Sequence, residues 1–128
     1  MKIKISLFLA FLLSNAKIST AQTIAGVWKG ESLCQDKHSS CHDENVIYHI
    51  VKGGSGDSYQ VDAFRITDGK EIDMGTLDFI HDPHQNILYL IDSARQVKWE
   101  FKITGEEMHG TLISQGKLFR IINLKREE

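Results

Sequence analysis

The chain lacks the features that mark most enzymes, membrane proteins and nucleic-acid-binding proteins. Its 128 residues include one proline and two cysteines, and its only long apolar run, Ile5 to Leu13, is too short to cross a bilayer. No serine or cysteine forms a recognisable nucleophilic arrangement with a base. The sequence therefore gives only weak support for an enzyme, and we expect neither a cofactor nor a membrane anchor.

The first residues are typical of a secretory signal peptide. Lys2 and Lys4 precede the apolar run, and the polar stretch after it ends in Ser19-Thr20-Ala21, with small residues where signal peptidase recognises its substrate. We expect residues 1–21 to be removed and residues 22–128 to form a single exported domain. A signal peptide alone does not distinguish the periplasm from the medium.

The chain also has no excess of positive charge. Without residues 1–21, which carry three lysines and no acid, 12 basic residues face 17 acidic ones, a net charge of −5. Nucleic acids are bound largely through Lys and Arg side chains that neutralise phosphates. The charge therefore argues against a nucleic-acid partner, and we expect a monomeric domain with a small core.

The two cysteines are predicted to form a disulfide, because this is the simplest use of a cysteine pair in an exported domain. Cys34 and Cys41 would close an eight-residue loop, which the chain-entropy model values at about 2.5 kcal/mol. His42, Asp43 and Glu44 follow directly and offer ligands that suit a divalent metal. Consecutive residues rarely point at one centre, however. We expect Asp43 or Glu44 to accept hydrogen bonds from loop amides, with a metal as the less favoured alternative.

Most of the mature chain alternates apolar and polar residues with a period of two, as β-strands do. The clearest case places Val97, Trp99, Phe101 and Ile103 on one face and charged residues on the other. No segment has the periodicity of a helix. Eight strands are predicted, at residues 24–33, 46–51, 59–66, 71–80, 87–91 and 97–103, around Met108 to Leu112, and at 118–125.

Eight short strands joined by short turns predict an all-β fold, an eight-stranded antiparallel up-and-down barrel, because closure removes exposed sheet edges. A β-sandwich is the alternative. Asp68-Gly69 predicts a type I′ hairpin turn, and the only proline, Pro83, is placed in another turn. Loops alternate between the two ends of such a barrel. The disulfide loop would therefore share an end with the turns at residues 68–69, 92–95 and 114–117.

Gly26-Val27-Trp28 in the first strand, the eight strands and Arg120 in the last strand resemble the lipocalin and fatty-acid-binding-protein group, the calycins. The resemblance implies structural roles for Trp28, beneath the barrel, and for Arg120, lying across it in a cation-π contact. It also implies that the disulfide loop lies at the mouth. The chain is shorter than a typical lipocalin and lacks the flanking C-terminal helix. The segment from Cys34 to Glu44 is similar to one in small exported bacterial proteins described as lipocalin-like.

These observations predict an exported barrel that binds a small apolar or amphipathic ligand in its lumen, beneath the disulfide-pinned loop. Tyr48, Trp99 and Phe101 are the candidate ligand contacts, although the same bulky residues would equally serve to fill the lumen. One alternative is a protein-interaction or inhibitor module that acts through its loops. A metal-dependent enzyme centred on His42 and Glu44 ranks last.

Overall fold

The computed structural model describes residues 23–127. The signal peptide predicted for residues 1–21 lies outside this range. The described residues contain no helix that could cross a membrane. They form eight strands in the order β1 Gly26–Cys34, β2 Glu44–Lys52, β3 Ser58–Thr67, β4 Lys70–Asp82, β5 Ile87–Asp92, β6 Val97–Thr104, β7 Glu107–Ser114 and β8 Lys117–Arg126.

All neighbouring strands are antiparallel, and β8 pairs with β1, so the sheet closes into a barrel with its strands in chain order. The predicted up-and-down barrel is thus confirmed over the sandwich. Every strand boundary lies within two residues of its predicted position. We call the end with the β1–β2, β3–β4, β5–β6 and β7–β8 loops the upper end, and the other the lower end.

The predicted turns have the backbone conformations that their residues favour. Asp68 and Gly69 both have positive φ, 52° and 78°, as a type I′ turn requires. In the β4–β5 loop, the Asp82 carboxylate accepts hydrogen bonds from the backbone N–H groups of His84 and Gln85, at 2.9 and 3.3 Å. Desolvation opposes ionisation there, but these bonds prevail and lower the pKa of Asp82.

Inward-facing side chains fill the lower and middle parts of the barrel. The Phe101 ring packs edge-to-face against Tyr48 and Phe79, with centroids 5.9 Å apart in both pairs. Trp28 is fully buried below them. The remaining members of this core are Ile24, Val46, Ile50, Val61, Leu88, Ile103, Met108, Ile122 and Leu124. Phe101 and Ile103, the lower half of the inward face of β6, therefore fill the lumen.

Two glycines in the barrel wall allow this close packing. A Cβ atom on Gly110 of β7 would collide with the ring of Phe101 on β6, its cross-strand partner. A Cβ on Gly30 would overlap with the Asn123 carbonyl on β8. Both positions are restricted by space, since neither glycine has a positive φ.

The lower end is closed by Trp28 and Arg126. The Arg126 guanidinium lies 4.4 Å from the Trp28 ring, and it donates hydrogen bonds to the carbonyls of Thr23 and, at 3.0 Å, Ala25. The Trp28 indole N–H donates to the Ile24 carbonyl at 2.9 Å. One arginine and one tryptophan thus hold the segment that precedes β1 across the bottom of the barrel.

The predicted contact between Trp28 and Arg120 is therefore wrong. Both arginines of β8 occupy inward positions, but the register with β1 places Arg126 opposite Trp28 and Arg120 opposite Cys34. Arg120 lies at the upper end of the barrel, where it meets the disulfide loop.

Candidate functional site

The loop between β1 and β2 is held by several local contacts at the upper end. Cys34 and Cys41 form the predicted disulfide, with Cα atoms 6.0 Å apart. The Asp43 carboxylate accepts a hydrogen bond from the Cys34 N–H at 2.8 Å, which confirms that one of the two acids bonds to a loop amide. Asp36 accepts a similar bond from the His38 N–H at 3.0 Å. The disulfide and these hydrogen bonds therefore hold the loop in place.

Arg120 links this loop to the barrel. Its guanidinium donates to the carbonyl and hydroxyl oxygens of Ser32 at 3.1 and 3.0 Å, and to the His42 carbonyl at 3.1 Å. The Glu44 carboxylate lies 4.0 Å away, and both charged side chains are largely shielded from solvent. Arg120 therefore has a structural role, but its partners are Ser32 and His42 and not Trp28, the partner that the calycin resemblance implied.

Tyr48 is buried near this polar cluster. Burial strongly raises the pKa of its phenol; the Arg120 guanidinium partly opposes this effect, and the Glu44 carboxylate adds to it. Tyr48 consequently stays neutral at ordinary pH. It supports the interior of the barrel as an uncharged aromatic side chain.

The three residues considered for a metal turn to different partners. Asp43 accepts from the Cys34 amide, Glu44 approaches Arg120, and the His42 ring lies 3.4 Å from the Ser40 carbonyl. Within residues 23–127, no group of three or more His, Cys, Asp or Glu side chains is arranged to hold a metal ion.

An apolar cavity of about 300 Å³ lies at the upper end, on the side formed by β4 to β8. Trp99 lies in its wall and packs edge-to-face against Phe79 of the core, with centroids 6.2 Å apart. The charged side chains of Asp92 and Arg95, 3.7 Å apart, belong to the same wall near the β5–β6 turn. The other lining residues are Leu77, Leu90, Val97, Leu112, Ser114 and Phe119.

The structure separates the three predicted ligand contacts. Trp99 lines the cavity, whereas Tyr48 and Phe101 belong to the packed core. No residue of the loop from Cys34 to Glu44 lines the cavity either. The loop reaches the cavity wall only indirectly, through a hydrogen bond from the Gln35 N–H to the Phe119 carbonyl at 2.9 Å.

The walls of the cavity include both sides of a break in strand pairing. β4 forms ten residue pairs with β3 but only three with β5. A continued β4–β5 register would pair Phe79 with Leu90 and Leu77 with Asp92, but the ladder stops before these positions. Leu77 and Leu90 thus line the cavity from strands that have separated. The sequence does not reveal this separation, because alternation within a strand indicates which face a side chain occupies and not whether the strand pairs with its neighbour.

A larger depression, of about 770 Å³, lies on the outer surface, mainly along β1, β7 and β8. Several of its polar groups pair with one another, as Lys29 does with Glu127 at 3.6 Å. His109 lies between Asn123 and Glu107, at 2.9 and 3.0 Å, and these hydrogen bonds raise its pKa. The apolar cavity lies inside the barrel above the packed core, whereas this depression lies on the outer surface, and we therefore consider the cavity the better candidate site.

No family model, curated protein or solved structure matches the chain. The closed antiparallel barrel is consistent with a lipocalin-like fold. The resemblance to that fold rests on architecture alone.

Proposed function

We propose that the protein is an exported β-barrel that binds a small apolar or amphipathic molecule in the upper-end cavity. The observation that carries this proposal is an apolar space of about 300 Å³ above a lumen that is otherwise filled. Export is supported by the signal-like N-terminal sequence and by the disulfide between Cys34 and Cys41.

The lining residues favour a ligand with an apolar body and a polar end. Leu77, Leu90 and Trp99 offer apolar contact, while Asp92 and Arg95 supply charged groups near the β5–β6 turn. The volume lies at the small end of the range for small-molecule sites. The ligand would therefore rest above the core, and Tyr48 and Phe101 would support the floor of the site without contacting it.

The first experiment is extraction of the exported protein followed by mass spectrometry of any co-purified molecule. In a second, anilinonaphthalene sulfonate serves as the probe in a fluorescence titration. Leu90→Phe fills part of the cavity and should weaken binding of the probe by about tenfold, a change of about 1.4 kcal/mol.

Ile91→Phe is the matched control, because it enlarges the next residue along β5, whose side chain is exposed. Binding to this variant should equal that of the unmodified protein. Equal affinity of the probe for the Leu90→Phe variant and the unmodified protein would refute the assignment of the site to this cavity.

A further inference from the structure

We propose that the free edge of β4 binds an extended peptide of a partner protein, one in which apolar and basic residues alternate. The peptide would add to β4 as an extra strand beside the cavity. This inference goes beyond small-molecule binding, because it uses backbone groups and outer-face residues that a ligand in the cavity does not require.

The first observation is the unpaired edge itself. From Lys70 to Phe79, β4 pairs with β3 on one side, and no residue of 23–127 forms a ladder with its other side. Within this stretch the Gly75 N–H already donates to the Asp73 carboxylate at 2.7 Å, so this amide is not an open donor. An open strand edge offers backbone donors and acceptors to another extended chain, and partner peptides bind other sheets in this way.

The second observation is the apolar surface beside this edge. Residues 23–127 have five exposed large apolar side chains, and three of them lie on β4 and β5: Met74 at 40%, Ile80 at 42% and Ile91 at 56% exposure. Behind the separation, Leu77 and Leu90 line the cavity. The inward face of an added strand would therefore meet Leu77 and Leu90, while its outward face would lie beside Met74, Ile80 and Ile91.

Charge decides which occupant fits. The outer-facing side chains of β4 include Glu71, Asp73 and Asp78, of which only Asp78 lies between Gly75 and Phe79, and this face has no lysine or arginine. A second copy of the chain that added its own β4 across a two-fold axis would bring acid towards acid, which is unfavourable. Basic side chains on a partner strand would instead face carboxylates. The edge therefore favours a basic, apolar peptide over self-association.

A β-bulge limits where the peptide can pair. The β3–β4 register shifts between Ala63 and Phe64, opposite Met74, and Gly75 has a φ of 114°. Bulges bend a strand and interrupt its ladder. The regular part of the free edge therefore runs from Gly75 to Phe79, directly beside Leu77 and the cavity. We infer that the partner strand pairs with this short segment.

The test uses a labelled peptide of alternating lysine and valine, about seven residues long, which is an ordinary strand length. Fluorescence anisotropy should show that it binds at least about tenfold more tightly than a glutamate–valine peptide of equal length. Methylation of alternate peptide nitrogens should abolish binding, because it removes the backbone donors. Equal binding of the lysine and glutamate peptides, or unchanged binding after methylation, would overturn the proposal.

Two variants locate the interaction. Asp78→Lys reverses one outer charge, and Ile91→Lys places a positive charge on the exposed apolar side of β5, where it would repel the basic peptide; each should weaken peptide binding about tenfold or more. Asp57→Lys makes the same change of charge in the exposed β2–β3 loop and should leave binding unaltered. Unchanged binding in both edge variants would contradict the proposal. So would NMR amide shifts, on addition of the peptide, at residues away from 75–79. A stable dimer of the free protein would contradict it as well.

Anilinonaphthalene sulfonate separates this inference from the proposed ligand site. The Ile91→Lys variant should bind the peptide more weakly and still bind this probe, since Ile91 does not line the cavity. If the small-molecule proposal alone fails, the peptide still binds and the probe does not. If the edge proposal alone fails, the probe binds and the peptide does not.

Discussion

At the scale of single residues, Arg126 has the most consequential contacts at the lower end. It lies against Trp28, donates to two carbonyls of the segment before β1, and pairs with Glu106 at 3.1 Å. We expect Arg126→Ala to lower the free energy of unfolding by about 2 kcal/mol, because a cation-π contact and partly buried hydrogen bonds are lost together. Urea denaturation would measure this change.

The control for Arg126 is Arg95→Ala. The Arg95 side chain is 82% exposed and pairs only with Asp92 at 3.7 Å. Exposed ion pairs of this kind contribute little, so the loss should stay below about 0.5 kcal/mol. Equal losses in the two variants would mean that Arg126 does not stabilise the lower end as its contacts indicate.

Tyr48 gives the alkaline pH dependence of stability a specific origin. Its folded-state pKa is raised by burial above the usual value of 10.0. The contribution of Tyr48 to the free energy of unfolding is therefore fully present below pH 10.0. It is lost as the pH rises above that value, because the unfolded chain then binds fewer protons than the folded protein. We expect Tyr48→Phe to reduce this alkaline loss when urea denaturation is repeated from neutral pH upward. An unchanged slope would contradict the assignment.

At the scale of elements, the disulfide loop and the cavity are structurally separate. Replacing Cys34 and Cys41 with serine should lower stability by about 2.5 kcal/mol, the chain-entropy value for a loop of this length. Affinity for anilinonaphthalene sulfonate should change less than twofold, because no residue from Cys34 to Glu44 lines the cavity. A large loss of affinity in the folded double variant would show that the loop contributes to the site.

The pairing of β6 with β7 depends on a glycine, Gly110, at the position opposite Phe101. Gly110→Ala should destabilise the barrel by about 1–3 kcal/mol, because the added methyl group collides with the Phe101 ring. Gly54→Ala is the matched control, since Gly54 has open space around it and no positive φ. Thermal unfolding should show a lower Tm for the first variant only; the same Tm shift in both would refute this packing argument.

The elements themselves could largely be predicted because their signals are local. Alternation from Val97 to Ile103 predicted β6, and Asp68-Gly69 predicted the turn that its positive φ values confirm. The partner of Trp28 could not be predicted in the same way. Arg120 and Arg126 are six residues apart in one strand and face inward alike, so only the register that closes the barrel distinguishes them.

At the scale of the whole molecule, the candidate cavity was only partly predictable. Tyr48, Trp99 and Phe101 were all correctly assigned to inward positions, since period-two alternation determines the face of a strand. Whether an inward residue fills the lumen or lines a cavity depends on its height in the barrel and on the opposing side chains. Those depend on contacts between strands far apart in sequence, which alternation does not encode.

The short β4–β5 ladder also makes one seam of the barrel weaker than the others. Only three residue pairs join these strands, whereas eight join β2 to β3. Transient rupture of this seam would turn the closed barrel into an open sheet while the other seven ladders remain intact, and so would not require global unfolding. Amide hydrogen exchange should therefore be faster at Tyr89 than in the middle of β2. A small molecule could then enter or leave the upper-end cavity through this seam, at a rate set by how often the seam opens.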